Sequence, residues 1–155
     1  MQTRPPLANR SGTYVLWLYL HRSRLLSIGR LGDVRLVPGF YGYVGSAFGP
    51  GGVRARLGRH LRGSARAHWH IDYLRTVCRA QGAWMSYDGR RLEHIWAQAL
   101  LALPGARLAV PGFGATDCGC ETHLVGFSRA PSLAALRRRL GVSAPSLRRI
   151  RPVLS

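Results

Sequence analysis

Lysine is absent from this chain, and acidic side chains are scarce. All 23 Lys-plus-Arg positions are Arg, only 6 residues are Asp or Glu, and the formal net charge is +17. A field of that sign attracts polyanions, and the Arg guanidinium can form paired hydrogen bonds to phosphate. The composition therefore predicts nucleic acid as the partner. The alternatives are the codon bias of a GC-rich genome and an acidic protein partner.

Cysteine and long apolar runs are also in short supply. The three cysteines, Cys78, Cys118 and Cys120, are a poor basis for the disulfides of a secreted domain because their number is odd and two of them are separated by one residue. The first ten residues carry no apolar stretch, and the first apolar run, residues 15–20, is too short to cross a bilayer. We therefore expect a cytoplasmic, nucleoid-associated protein with no membrane partner, and nothing in the sequence indicates its oligomeric state.

The residues that are present favour one globular domain. The chain has 155 residues, of which 46% are hydrophobic and 19% charged, so it can bury a core and is unlike a disordered chain. Strand patterns and helix patterns are interspersed without an internal repeat, which predicts an α+β fold. We expect a flexible N-terminus at 1–11, the folded domain at 12–128, and a basic helix with a mobile tail at 129–155.

The strand signals are short and rich in aromatic and branched residues. Residues 12–20 form an almost unbroken apolar run, which predicts a central strand buried on both faces. Residues 25–28 are expected to return beside it as a hairpin. Further strands are predicted at 40–46, 83–87 and 123–127.

Helical periodicity marks four other segments. Val53, Leu57 and Leu61 recur every four residues and predict a first helix from residue 53. A second helix is predicted at 70–80 and a third at 91–103, where apolar residues follow the i, i+3, i+4, i+7 pattern. A fourth, basic helix should begin near residue 131.

Two tripeptides place a tyrosine beside a glycine, namely GTY at 12–14 and YVG at 43–45. In the helix after the second tripeptide, Arg56 and His60 stand one turn apart, so both can reach one phosphate. Glu93 follows in the third predicted helix. Structural roles are the alternative: the tyrosines pack in the sheet, the helix pair faces solvent, and the glutamate is favoured by the helix dipole.

In this order, these elements resemble the GIY-YIG nuclease superfamily, in which Gly-x-Tyr and Tyr-x-Gly are followed by a helix with Arg and then a helix Glu. The phrases YVGSAFG, RHLR, HWHIDYL and GFGATDCGCETHL are most similar to its Uri-like endonuclease branch, a group also found joined to endonuclease-III-type glycosylases. The similarity extends over about residues 12–127. It implies a small antiparallel sheet flanked by helices, and divalent-metal-dependent hydrolysis of DNA phosphodiester bonds.

The resemblance also implies a catalytic set, which is Tyr14, Tyr43, Arg56, His60 and Glu93. Glu93 is implied as the ligand of Mg²⁺ or Mn²⁺, cations that prefer hard oxygen ligands. Arg56 would neutralise charge that builds on the scissile phosphate. Tyr43 can serve as base only if a nearby cation lowers its pKa from about 10, and otherwise His60 takes the proton while Tyr43 orients the water.

Other residues near these motifs are candidates for contact with the substrate: Gly45, Ser46, Arg54, Arg59, Arg62 and His70. Because we see no second DNA-reading module, we expect structure- or damage-directed cutting of single-stranded, flap or abasic DNA. The alternative function is a noncatalytic nucleic-acid-binding module that keeps the basic face, and this module could be zinc-stabilised.

A second group of residues contains enough soft and borderline ligands for Zn²⁺ if its segments meet in space. With His68 nearby, its members are His70, Asp72, Asp117, Cys118, Cys120 and His123. The C-x-C-x-x-H spacing differs from the usual C-x2-C pair. Two alternatives are therefore open: buried polar residues with structural roles, or side chains that hydrogen-bond the substrate or a metal-bound water.

Overall fold

The fold is described by a computed structural model that covers residues 7–115, 118–141 and 148–150. It is an α+β fold, as the sequence predicts, with a mainly antiparallel six-stranded sheet in the order β6-β7-β4-β1-β5-β8. The elements of this described part are β1 (Gly12–Leu20), β2 (Arg24–Ser27), β3 (Asp33–Leu36), β4 (Gly39–Ala47), α1 (Gly52–Arg62), α2 (His70–Arg75), β5 (Arg79–Ser86), α3 (Glu93–Leu101), β6 (Arg107–Leu108), β7 (Leu124–Phe127), α4 (Leu133–Leu140) and β8 (Arg148–Ile150).

The first strand lies at the centre of the sheet, which confirms its prediction. β1 pairs with β4 along its whole length, from Gly12 opposite Ala47 to Leu20 opposite Gly39, and with β5 on its other side. Every β1 residue except Tyr19 is buried. Because neighbours cover both faces and both edges, its sequence can be apolar without alternation.

Helices cover the two faces of the sheet. Val53 and Leu57 of α1 pack on one face together with residues of α2, and Trp96 and Leu100 of α3 pack on the other together with residues of α4. Alternate residues of β1 enter the two cores because successive strand side chains point to opposite faces. Each large side chain buried in this way stabilises the fold by about 1.5–3 kcal/mol.

The predicted hairpin between residues 12–20 and 25–28 is wrong. β2 pairs with β3 in a separate two-stranded sheet, joined by a 3-10 turn at Gly29–Leu31. The two edges of β1 are already occupied by β4 and β5. The residues of β2 are largely exposed, and the hairpin joins the core through Leu36 of β3, which is buried.

The second helix is shorter than the predicted 70–80 and ends at Arg75. The Arg75 guanidinium donates hydrogen bonds to the carbonyls of His60 (2.8 Å), Leu61 (3.0 Å) and Cys78 (2.6 Å). These contacts hold the chain as it turns into β5, which pairs with β1 from Arg79 onward. Tertiary pairing thus overrides a helical pattern that would otherwise continue.

Both ends of the described chain are attached to the core. Ala8 and Arg10 accept backbone hydrogen bonds from Arg54 (3.0 Å) and Val53 (2.8 Å), so they satisfy free amides at the start of α1. Arg148–Ile150 forms a strand against β5. The rest of both predicted segments, 1–6, 142–147 and 151–155, lies outside the described residues. No helix of the described part is long and apolar enough to cross a membrane.

Candidate functional site

The candidate site is a cavity of about 330 Å³ beside the end of β4. The β4–β7 pairing stops at Tyr43 opposite Leu124, and one further bond runs from the Val44 amide to the His123 carbonyl at 2.9 Å. The last residues of β4 therefore extend past β7. α1, the first turn of α3 and the loop that leads into β7 surround the space that this leaves.

Seven of the predicted catalytic and substrate-contact residues line this cavity: Tyr14, Tyr43, Gly45, Ser46, Arg56, His60 and Glu93. They come from four elements, since β1 and β4 supply the tyrosines, α1 supplies the basic pair and α3 begins with the glutamate. The two basic residues face the same space because they are one helical turn apart. The structure thus brings the five candidate catalytic residues together.

The glycine of each tripeptide allows a close approach. Gly45 lies opposite Tyr14, and a Cβ on Gly45 would stand 2.6 Å from both Cζ and the hydroxyl oxygen of that ring. A Cβ on Gly12 would stand 2.4 Å from the carbonyl oxygen of Ser86. Both distances are shorter than a side-chain carbon tolerates, so these two positions need glycine for packing reasons.

Glu93 is anchored at the start of α3. Its Oε2 accepts a hydrogen bond from Ser46 Oγ at 2.7 Å, and its Oε1 lies 2.9 Å from His123 Nδ1 without the alignment of a hydrogen bond. Burial opposes ionisation of this carboxyl, but the contacts with His123 and Ser46 outweigh it and lower the pKa of Glu93. Glu93 is therefore a carboxylate at neutral pH.

Arg56 is fixed on the other side of Ser46. Its Nη1 donates to the Ser46 carbonyl at 2.7 Å, and the guanidinium carbon lies 5.0 Å from the centre of the Trp69 ring. A cation over an aromatic face is attracted by the ring, so this stacking holds the guanidinium in place. Trp69 also lines the cavity, although the motifs did not point to it.

The two tyrosines are neutral in the protein without a bound ion. Burial raises the pKa of Tyr14 well above 10, and Tyr43 adds to that effect. Burial and the nearby Glu93 also raise the pKa of Tyr43, and Arg56 compensates only in part. A phenolate at Tyr43 would therefore need a further cation in the cavity.

His60 is also neutral. It is only 1% exposed, its Nδ1 has no hydrogen-bond partner, and its ring centre lies 6.0 Å from that of Tyr14 and 6.1 Å from that of Tyr43. Burial lowers the pKa of His60 to about 4, with Arg59 and Arg56 acting in the same direction and Asp72 opposing them. The imidazole thus keeps a lone pair free at neutral pH.

The structure does not bring the other three candidate arginines into the cavity. Arg54 and Arg62 are exposed on α1. Arg59 donates to both carboxylate oxygens of Asp72, at 3.0 and 3.1 Å, and stacks on Trp69 at 4.6 Å. Arg59 therefore packs behind Trp69, which lines the cavity, and does not itself line it.

His70 and Asp72 have hydrogen-bond partners away from the cysteines. His70 Nδ1 accepts from the Gly114 amide at 2.9 Å, and Asp72 Oδ2 accepts from the amides of His68 (2.7 Å) and Trp69 (2.9 Å). Burial opposes ionisation of Asp72, but these amides and Arg59 lower its pKa. Both residues hold loops in place, and Asp117 lies outside the described residues.

The other three members of the predicted ligand group, Cys118, Cys120 and His123, assemble with a residue that the sequence did not suggest, His94. The ligand atoms of His94, Cys118, Cys120 and His123 lie within 4.8 Å of one another, so this group could hold a metal ion. His94 follows Glu93 directly at the start of α3, far along the chain from the cysteines. Its place next to Glu93 was the one feature of the sequence that could have indicated a role for His94 in the site.

The fold and the cavity define an α+β domain with a polar, arginine-containing cavity at one end of its sheet. The chain belongs to the family described as "Domain of unknown function DUF123", which matches residues 13–142. No curated protein and no solved structure matches the chain. The matched range includes both tyrosines of the two tripeptides, α1, α3 and the cysteine loop.

Proposed function

We propose that the protein is a divalent-metal-dependent endonuclease of the GIY-YIG type that hydrolyses DNA phosphodiester bonds. The observation that carries the proposal is the convergence of Tyr14, Tyr43, Arg56, His60 and Glu93 on one cavity. Separate packing roles for these residues would not require four different elements to direct them to the same space. An arginine beside a carboxylate is the combination that binding of a phosphate with a cation requires.

Glu93 is the residue that would hold the cation. It is the one carboxylate among the described residues that line the cavity, and it is ionised at neutral pH. Mg²⁺ and Mn²⁺ are commonly held by one or two carboxylates, with waters and substrate phosphates as the other ligands. A bound cation would neutralise phosphate charge and favour deprotonation of water or of a nearby phenol.

Arg56 would bind the scissile phosphate. An arginine has five N–H donors, and one of those on Arg56 already donates to Ser46, so the side chain is held while other donors stay available. Fixed donors of this kind stabilise the charge that builds on the nonbridging oxygens without having to reorganise.

We assign orientation of the attacking water to Tyr43 and acceptance of its proton to His60. The raised pKa of Tyr43 keeps its hydroxyl protonated and able to hydrogen-bond. The unpartnered Nδ1 of His60, on a ring that stays neutral, can accept a proton during attack. Because His60 is a weak base, this step would depend on a cation at Glu93 that lowers the pKa of the attacking water.

The substrate class follows from charge and from the size of the site. The net charge of +17 favours binding to the DNA backbone without sequence readout. A cavity of about 330 Å³ has room for a single phosphodiester and its surroundings rather than for several base pairs. We therefore propose cleavage directed by DNA structure or damage, on single-stranded, flap or abasic DNA.

The test is cleavage of labelled single-stranded, duplex, flap and abasic DNA with Mg²⁺ or Mn²⁺. We expect Glu93→Gln and Arg56→Gln each to slow cleavage by about 10²–10³-fold, because each removes charge stabilisation at the phosphate. Glu121→Gln is the matched control, since Glu121 is exposed and outside the cavity lining. Equal cleavage by wild type and Glu93→Gln would exclude this site. Binding without cleavage of any substrate would identify a noncatalytic module.

A further inference from the structure

We infer that His94, Cys118, Cys120 and His123 form a tetrahedral zinc site at the rim of the candidate cavity. This site is distinct from the cation at Glu93, and its existence does not depend on the nuclease proposal. His94 Nδ1 lies 3.0 Å from Cys120 Sγ, and His123 Nε2 lies 3.4 Å from Cys118 Sγ. Two thiols and two imidazoles thus face one another in pairs.

The separations suit zinc. With Zn–S bonds of about 2.3 Å and Zn–N bonds of about 2.0–2.1 Å, the ligand atoms of a tetrahedral site lie about 3.3–3.8 Å apart. The four atoms here all lie within 4.8 Å of one another. Rotation of side chains by small amounts would therefore close the group around an ion. His94 is exposed, which leaves one ligand free to adjust and gives the ion a route of entry.

The ligand chemistry favours zinc over the hard cations. Thiolate sulfur is a soft ligand that Mg²⁺ and Mn²⁺ bind poorly, whereas a Cys2His2 set is a common structural zinc set. Binding would release one proton from each of the two thiols, so the two thiolates would balance the charge of Zn²⁺. This balance matters in a chain whose net charge of +17 repels free cations.

His123 connects this group to Glu93. It is 2% exposed, its Nε2 is directed towards Cys118, and its unpartnered Nδ1 lies 2.9 Å from Glu93 Oε1. When Nε2 binds zinc, the ring proton must reside on Nδ1, from which it can be donated to the carboxylate. His123 is then a positioning residue that orients Glu93.

The first test is the metal content of protein purified without chelators. We expect about one zinc per chain, and a fall of at least about tenfold in Cys118→Ser, Cys120→Ser and His94→Gln. Cys78→Ala and His21→Gln are matched controls that should keep their zinc, because neither residue belongs to the group. Zinc-free wild type, or variants that keep their zinc, would overturn the inference.

Cobalt binding covers the case in which these variants do not fold. Co²⁺ added to metal-free wild type should give the thiolate-to-metal absorption and intense visible bands of a tetrahedral sulfur-containing site. Absence of the thiolate band in the folded wild-type protein would overturn the inference, as would a Cys118–Cys120 disulfide that persists under reducing conditions.

The positioning role of His123 has a spectroscopic test. Zinc-loaded protein should show a slowly exchanging Nδ1 proton resonance of His123, which moves upfield in Glu93→Gln because the acceptor loses its charge. An unchanged resonance would exclude the contact. These measurements contain no DNA, so their outcome is independent of the cleavage assay. If the protein binds zinc but cleaves no DNA, the zinc site stands and the nuclease proposal fails. If the protein contains no zinc but cleaves DNA, the nuclease proposal stands and the zinc site fails.

Discussion

Tyr14 lies directly across from Gly45, at a distance that excludes a side chain at position 45 of β4. A Cβ there would meet the ring of Tyr14 at 2.6 Å, and that ring is only 1% exposed. We predict that Gly45→Ala destabilises the fold by about 1–3 kcal/mol, the usual cost of overpacking a buried site. The displaced ring would also disturb the cavity, so cleavage should fall with stability. Urea unfolding at neutral pH measures the first effect.

Gly89→Ala is the matched control for this substitution. Gly89 is exposed, and a Cβ there would meet nothing within 4 Å. The control should therefore unfold at the same urea concentration as the wild type. An equal stability of all three proteins would mean that Tyr14 is free to move, contrary to its burial.

Individual site residues were predictable where a motif fixes their order. The two tyrosines, Arg56 and Glu93 could be selected because their types and spacing recur together. The role of Arg59 could not be predicted in the same way, because its partner Asp72 lies on α2 and no motif links the two residues. His94 was missed for a similar reason, since its contact with Cys120 depends on how a loop returns to the start of α3.

At the scale of elements, α1 and α2 are joined by the pair of Arg59 and Asp72. We predict that Asp72→Asn lowers the free energy of unfolding by about 2–3 kcal/mol at pH 7, since it removes charged hydrogen bonds at a buried position. The pKa of Asp72 is lowered from 3.8 by folding, so its contribution is complete at higher pH and is lost as the pH falls below about 4, through the folded pKa. Urea unfolding of both proteins at pH 7 and pH 3 should show the difference shrink.

The control for this prediction is Asp33→Asn, which changes an exposed carboxylate on the outer hairpin. It should change stability little at either pH. If the difference between wild type and Asp72→Asn were the same at pH 7 and pH 3, the ionised carboxylate would not be the stabilising group.

The elements themselves were predictable where burial dictates the pattern. β1 is buried on both faces, and α1 shows its apolar stripe, so both could be located from composition and periodicity. The partner of β2 could not be predicted, because strand pairing depends on which edges are free. β8 and the end of α2 were likewise determined by pairing with β5 and by the contacts of Arg75, which no local pattern records.

At the scale of the whole molecule, exposed arginines are present on both sides of the sheet, and the basic pair of the candidate cavity comes from the side covered by α1. Arg54 and Arg62 are exposed on α1, the helix that supplies Arg56 and His60, whereas Arg138 and Arg139 are exposed on α4, which packs with α3 over the opposite face. Two double variants, Arg54→Gln/Arg62→Gln and Arg138→Gln/Arg139→Gln, remove the same charge from the two sides.

We predict that these double variants differ in their salt dependence of DNA binding. Each phosphate contact contributes about −0.9 to the slope of log K against log salt for duplex DNA, because binding releases counterions. The α1 variant should therefore reduce the magnitude of the slope by up to about 1.8, while the α4 variant should change it little. Fluorescence anisotropy with labelled duplex over a range of NaCl concentrations measures both. Equal losses would mean that DNA is bound by the net charge alone. A larger loss from the α4 variant would place the DNA on the face covered by α4, away from the helix that carries Arg56 and His60.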